Sequence, residues 1–154
     1  MAKRPLNIAG TLWVGCVLVT AGWFGWSVGG IREAEAIPSL PVAGVAMPIC
    51  TDGNRFTCIV DGDTIRYRGE RIRLEGFNTP EMRGQCRRET DLARQAQRRL
   101  QQVLHNVPFS IHRSGTDRYG RTLATVRTAN GDVGDVLIRE GLAHVWRGRQ
   151  ENWC

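Results

Sequence analysis

Lysine is almost missing from this chain: Lys3 is the only one in 154 residues. From Ile37 to Cys154 all the positive charge is arginine, 18 residues against 13 Asp plus Glu, a net +5. The planar guanidinium fork matches phosphate oxygens better than a lysine point charge does, so this balance suits a polyanion. A merely soluble surface has the same balance, and net charge does not separate the two. Cys-x-x-Cys motifs and clustered Cys/His pairs are also absent, which disfavours zinc. There is no internal repeat or low-complexity tract, so the chain does not read as a repeat array. Finally, no charged residue occurs from Ile8 to Ile31.

That last absence defines a segment. An apolar run of 24 residues can span a bilayer as a helix. Lys3 and Arg4 precede it, and Arg32, Glu33 and Glu35 follow it. The positive-inside rule keeps residues 1–7 in the cytoplasm and exports the rest, with Trp23 and Trp26 near the far interface. The rival reading is a signal peptide cleaved after Ala36, since Ala34-Glu35-Ala36 has the small-x-small pattern. The run is long for a signal core, which favours a single-pass anchor over residues 8–31. A buried soluble helix is disfavoured because the run is apolar all round. Residues 32–48, with Pro38, Pro41 and Pro48, read as an extended tether. The folded domain is expected at 49–154, on the periplasmic or extracellular side.

The cysteines fit an exported domain. Cys50, Cys58, Cys86 and Cys154 lie beyond the apolar segment and suggest two disulfides, with three connectivities open. Cys50–Cys58 would staple a tight hairpin around Thr51-Asp52-Gly53-Asn54. It would leave Cys86–Cys154 to tie the C-terminus to the start of a helix.

Short β runs appear at Phe56–Val60, Thr64–Tyr67, Arg71–Leu74, Phe109–His112 and Thr122–Val126, with glycines at the turns. Five short strands of this kind suggest a small barrel. Leu92, Ala93, Ala96, Leu100, Val103 and Leu104 repeat with helical spacing, with Arg94, Arg98 and Gln101 facing solvent. Asn106 and Pro108 end that helix. Val133, Val136 and Leu137 form the apolar side of a second one, and Gly141 stops it.

Three pieces carry chemistry: Asp61-Gly62-Asp63-Thr64; Arg73 followed by Asn78-Thr79-Pro80-Glu81; and Asp117-Arg118-Tyr119-Gly120-Arg121. Carboxylates set among arginines are poor design for simple anion binding. They make sense if a cation and a phosphate sit side by side, as in metal-assisted phosphodiester cleavage. Each piece also has a bland reading. Asp-Gly-Asp is a common turn, Glu81 after Pro80 suits a helix start, and exposed arginines are frequent.

Taken in order, these pieces resemble the staphylococcal nuclease (thermonuclease) family. The helical stretch Asp135–Ala143 looks similar as well, and the resemblance runs from about Cys58 to Val145. It implies an OB-fold five-stranded barrel with packed helices, calcium dependence, a monomeric catalytic domain and cleavage of DNA and RNA. It implies that Arg73 and Arg121 grip the scissile phosphate and that Glu81 orients or activates the attacking water. Asp63, Asn78 and the Thr79 carbonyl would hold calcium, with Asp61 behind them. Tyr119 reads either as a nucleotide contact or as an ordinary turn tyrosine.

Two departures stand out. The best-known members have Asp where this chain has Asn78, so weaker calcium binding or a changed metal preference is expected. The chain also stops at Trp153-Cys154, where a longer terminal helix is expected; a Cys86–Cys154 bond would replace its packing. His105, His112 and His144 are isolated and read as structural or exposed rather than catalytic, and Trp146 and Trp153 read as packing residues. The rival functions are a noncatalytic OB-fold module binding single strands and a structural envelope protein that reuses the fold.

Overall fold

Alternation builds the centre of the sheet. In β2 (Thr64–Tyr67) and β3 (Glu70–Leu74), Ile65, Tyr67, Ile72 and Leu74 all point into the core. The residues between them therefore share the opposite face. The turn joining the two strands is Arg68-Gly69, both left-handed at φ 52° and 86°, which gives the tight hairpin twist. The structure is a computed structural model that describes residues 41–154. The apolar segment 8–31 and the first part of the tether, 32–40, lie outside the described residues. Among the described residues, no helix is long and apolar enough to cross a membrane.

β1 (Cys58–Ile59), β2, β3, β6 (Thr122–Thr128) and β5 (Phe109–Thr116) follow one another across a mixed sheet. β3 and β6 run parallel and the other neighbours antiparallel. The short β7 (Gly131–Asp132) adds to β6. A second, two-stranded sheet pairs β4 (Phe77–Asn78) with β8 (His144–Val145). α1 (Arg87–Leu104) and α2 (Val133–Arg139) complete the domain.

The expected closed barrel is not observed: among the described residues no ladder joins β5 back to β1. The physical reason lies at both edges. The Ile59 N–H donates to the Pro48 carbonyl at 2.8 Å and its carbonyl accepts from Cys50 N–H at 2.8 Å. At the other edge, Phe109 exchanges two bonds with Val42, at 2.7 and 3.2 Å. The segment 42–50 thus occupies the backbone groups that closure would need. The packed body begins before residue 49: Met47 is fully buried, and the Val45 carbonyl accepts from Asn106 N–H at 2.8 Å.

Both disulfides form, Cys50–Cys58 and Cys86–Cys154, with Cα separations of 5.0 and 6.0 Å. The first closes the hairpin in which Thr51 and Asn54 exchange backbone bonds at 3.2 and 3.1 Å. α1 buries Ala93, Ala96, Leu100 and Leu104, as their spacing predicts, and also Glu89 and Gln97. Gln97 Nε2 donates to the Val60 carbonyl at 2.7 Å, fixing the helix against the strand end that leads to Asp61. Asp132 caps α2 by accepting from Gly134 N–H at 2.8 Å.

Gly62 shows how tightly the helix and the site loop approach. A Cβ there would lie 2.8 Å from Ala96 Cβ and from both Thr79 Cγ2 and Oγ1. Neither side can yield easily, so Gly62→Ala is expected to lower stability by roughly 1–3 kcal/mol. Urea unfolding would measure it, and an unchanged midpoint would show that the loop is loose.

Candidate active site

Asp63 is the best-anchored side chain of the site. It is 8% exposed, at the entrance to β2. Its Oδ2 accepts from Arg73 Nη2 at 2.9 Å, Thr79 N–H at 3.1 Å and the Thr79 hydroxyl at 3.0 Å. Its Oδ1 accepts from the Thr64 hydroxyl at 3.2 Å. Arg73 leaves β3 on the face opposite the core, directly across from Thr64. Its guanidinium also donates to the carbonyl oxygens of Leu74, Phe77 (3.2 Å) and Asp63 (3.4 Å) and to Asn78 Oδ1 (3.3 Å). The cation is therefore held in place by a ring of oxygens rather than swinging on a free stem.

Asn78 is buried, and its amide nitrogen donates to the Thr79 carbonyl at 3.3 Å. Asp61 accepts from Asp63 N–H at 3.1 Å, an Asx turn that fixes the loop. Its carboxyl is pushed up to about 7, first by burial and then by the neighbouring charge of Asp63. Two acids packed this closely leave a strong demand for positive charge, part of which Arg73 meets.

Glu81 accepts from Gln150 Nε2 at 2.9 Å. Desolvation at the cleft wall, and next the charge of Asp63, hold its carboxyl above the usual glutamate range. Glu89 pins the loop that carries Glu81: its oxygens accept from Gln85 N–H at 2.7 Å and from Glu81 N–H at 3.4 Å.

Arg121 comes from the turn between β5 and β6. Asp117 organises that turn, accepting from Tyr119 N–H (2.9 Å), Arg121 N–H (2.9 Å) and Arg121 Nε (2.7 Å), while Gly120 supplies φ 74°. Tyr119 is 66% exposed, with the Arg118 and Arg121 guanidinium carbons 4.8 and 5.5 Å from its ring centre.

One cleft of about 950 Å³ is lined by Asp61, Asp63, Arg73, Asn78, Glu81, Tyr119 and Arg121. Of the noncysteine site residues expected from sequence, only Thr79 is not on its wall; it lies behind Asp63. The cleft also has a wall that the sequence reading missed: Trp146, Arg149 and Gln150. Trp146, read from sequence as a packing residue, is 44% exposed there. Its N–H donates to the Gly76 carbonyl at 2.9 Å, beside the pairing of Asn78 with His144. Trp153 does pack: it is 7% exposed and stacks on His144 at 4.0 Å. The signal that could have found this wall is Cys154, whose bond to Cys86 returns the C-terminal segment to the Glu81 loop.

A small mixed-sheet domain with paired acids and two anchored arginines in one open cleft is the class this architecture defines. Residues 71–153 match the family described as Staphylococcal nuclease homologue. This match spans more than half of the chain, and the chain belongs to that family. It is also 33% identical over 107 residues to the succinoglycan biosynthesis protein ExoI of Rhizobium meliloti (strain 1021). That alignment covers 66% of this chain and 54% of the relative, so the chain spans about half the length of the protein it matches.

Proposed function

We propose that this protein hydrolyses phosphodiester bonds in DNA or RNA, with calcium as cofactor, outside the cytoplasmic membrane. The observation that carries the reading is the convergence of Asp61, Asp63, Arg73, Asn78, Glu81 and Arg121 on one cleft. A nucleic-acid binder gains nothing from carboxylates beside the phosphate grip. The two disulfides support an oxidising compartment. Anchoring by residues 8–31, or release by cleavage after Ala36, belongs to the same proposal.

The chemistry follows from the side chains. A phosphodiester repels nucleophiles because its oxygens are already negative. Arg73 and Arg121 donate N–H bonds to those oxygens, and the bonds strengthen as charge builds in the transition state. Glu81 takes a proton from water as the water oxygen bonds to phosphorus, the opposite P–O bond breaks, and the leaving oxygen takes a proton from solvent. A carboxyl held above its usual range is the stronger base for that step. Gln150 and Glu89 keep it in position.

The donor set fits a hard cation: Asp63, the Asn78 side-chain oxygen and the Thr79 carbonyl are all oxygen ligands, with the Asp61 carboxyl adjacent. When bound, calcium would supply charge neutralisation at the phosphate. Asn78 offers a carbonyl without a charge, so Asn78→Asp is expected to tighten calcium binding. Calorimetric titration of both proteins reads this, and equal affinities would remove Asn78 from the ligand set. The function itself is tested by incubating the oxidised protein with plasmid and single-stranded DNA in calcium, magnesium or chelator. Cleavage in calcium that chelator stops supports it; binding without cleavage in all three would favour the noncatalytic module.

A further inference from the structure

A second group of arginines lies beside Arg73 on the sheet. Arg71 lies two residues before Arg73 on β3, and Arg66 is its direct cross-strand partner on β2. Their face is fixed by alternation. Ile65, Tyr67, Ile72 and Leu74 are in the core, so Arg66, Arg71 and Arg73 share the other side. The row Cys58, Arg66, Arg71 thus runs beside the row Thr64, Arg73. Arg68 stands at the tip of the same hairpin, left-handed at φ 52°, where Asn or Gly is the usual choice.

This placement is costly in isolation. Like charges directly opposite on neighbouring strands repel. Arg66 is half-buried, so water screens its charge poorly. Neither Arg66 nor Arg71 has an ion-pair partner among the described residues. The nearest acid along β3, Glu70, is already taken: Arg113 donates to it at 3.0 and 2.6 Å and Thr122 at 2.7 Å. Arg55, Arg94, Arg99 and Arg121, by contrast, each face a carboxylate. Two unpaired guanidiniums in register, on the face that leads from Arg73, leave a place for an anion.

We infer that Arg71 and Arg66 form a strand track that binds the phosphates next to the scissile one. This rests on the proposed nuclease reading and deepens it. Side chains two apart on a strand are spaced by about 6.6 Å, which suits successive phosphates of an extended single strand. Arg73 grips the reacting phosphate, and Arg71 and Arg66 each contact a phosphate beside it. Guanidiniums that grip phosphate oxygens carry no sequence information, so the track adds affinity and not sequence preference.

The test compares the full chain in mild detergent with its Arg66→Gln/Arg71→Gln variant. An Arg98→Gln variant on the solvent face of α1 controls for bulk charge. Binding to a 20-nucleotide single strand is measured in chelator across a salt series, and calcium-dependent turnover is measured on a dinucleotide. The track predicts that the double variant binds roughly tenfold more weakly at low salt. It also predicts a slope of log affinity against log salt shallower by about 1.4, two contacts at about 0.7 each. Arg98→Gln should leave the slope near that of the wild type, and dinucleotide turnover should be unchanged in all three. A wild-type slope in the double variant overturns the track while leaving the nuclease reading intact. So does an equal slope change in Arg98→Gln, or a matching loss on the dinucleotide. A loss confined to binding of phosphatidylserine vesicles, with the DNA slope kept, would assign these arginines to lipid headgroups and overturn it too. If the wild type shows no salt-dependent DNA binding, both readings fall together.

Discussion

Replacing Arg73 by Ala is expected to lower the rate of DNA cleavage by about 10²–10³, the loss typical of one oriented donor to developing charge. The same change should destabilise the protein in chelator by roughly 3 kcal/mol, because Asp63 then stays buried without its counter-charge. Arg73 and Asp63 side chains are only 14% and 11% exposed, so water cannot step in fully. Calcium separates the two effects. A cation held by Asp63 would replace the lost charge and restore part of the stability by mass action, but it would not restore the missing N–H donors. Thermal melts with and without calcium, beside cleavage rates, would show stability recovering and activity staying low. Arg73→Lys should behave like Ala in rate, since an ammonium cannot reproduce the planar fork. Recovery of both stability and rate with calcium would mean that Arg73 is structural only.

Breaking Cys86–Cys154 is the second large effect. This bond closes a loop of 68 residues, and its loss is expected to cost about 4 kcal/mol. Cys50–Cys58, with a separation of 8, should cost only about 2.5 kcal/mol. The larger consequence is at the site. Cys86 is the N-cap of α1, and its bond holds the segment bearing Trp146, Arg149 and Gln150 against the cleft. Without it the Gln150 contact to Glu81 loses its support. A Cys86→Ser/Cys154→Ser variant assayed where it is still folded should cleave more slowly than a Cys50→Ser/Cys58→Ser variant. Equal rates would show that the C-terminal wall is dispensable.

Much of this arrangement was legible in the residues. Strands β2, β3 and β6 announce themselves by alternation and glycine turns, and α2 by Val133, Val136 and Leu137 before Gly141, whose φ is 72°. The candidate site residues stood out because their chemistry is odd for a basic domain, and one cleft collects almost all of them. Other parts carry no local signal. β4 and β8 are two residues each, and their pairing joins Asn78 to His144 across most of the domain. Glu89 and Gln97 lie on the inner side of α1, where a reading of apolar spacing sees nothing. Barrel closure failed for a similar reason: the segment 42–50, proline-bearing and read as tether up to Pro48, takes up the free edges of Phe109 and Ile59. Backbone hydrogen bonding of that kind depends on position in space, not on side-chain pattern.

In the proposed reaction, Glu81 and the anchored arginines act together on a phosphodiester. The most direct measurement is the calcium-dependent cleavage rate of a single-stranded DNA by the oxidised protein and by its Glu81→Gln variant, with DNA binding recorded in parallel. The variant should bind DNA as well as the wild type and lose at least about 10²-fold in rate. Cleavage by the variant at the wild-type rate, or no cleavage by a folded wild type that binds DNA, would contradict it.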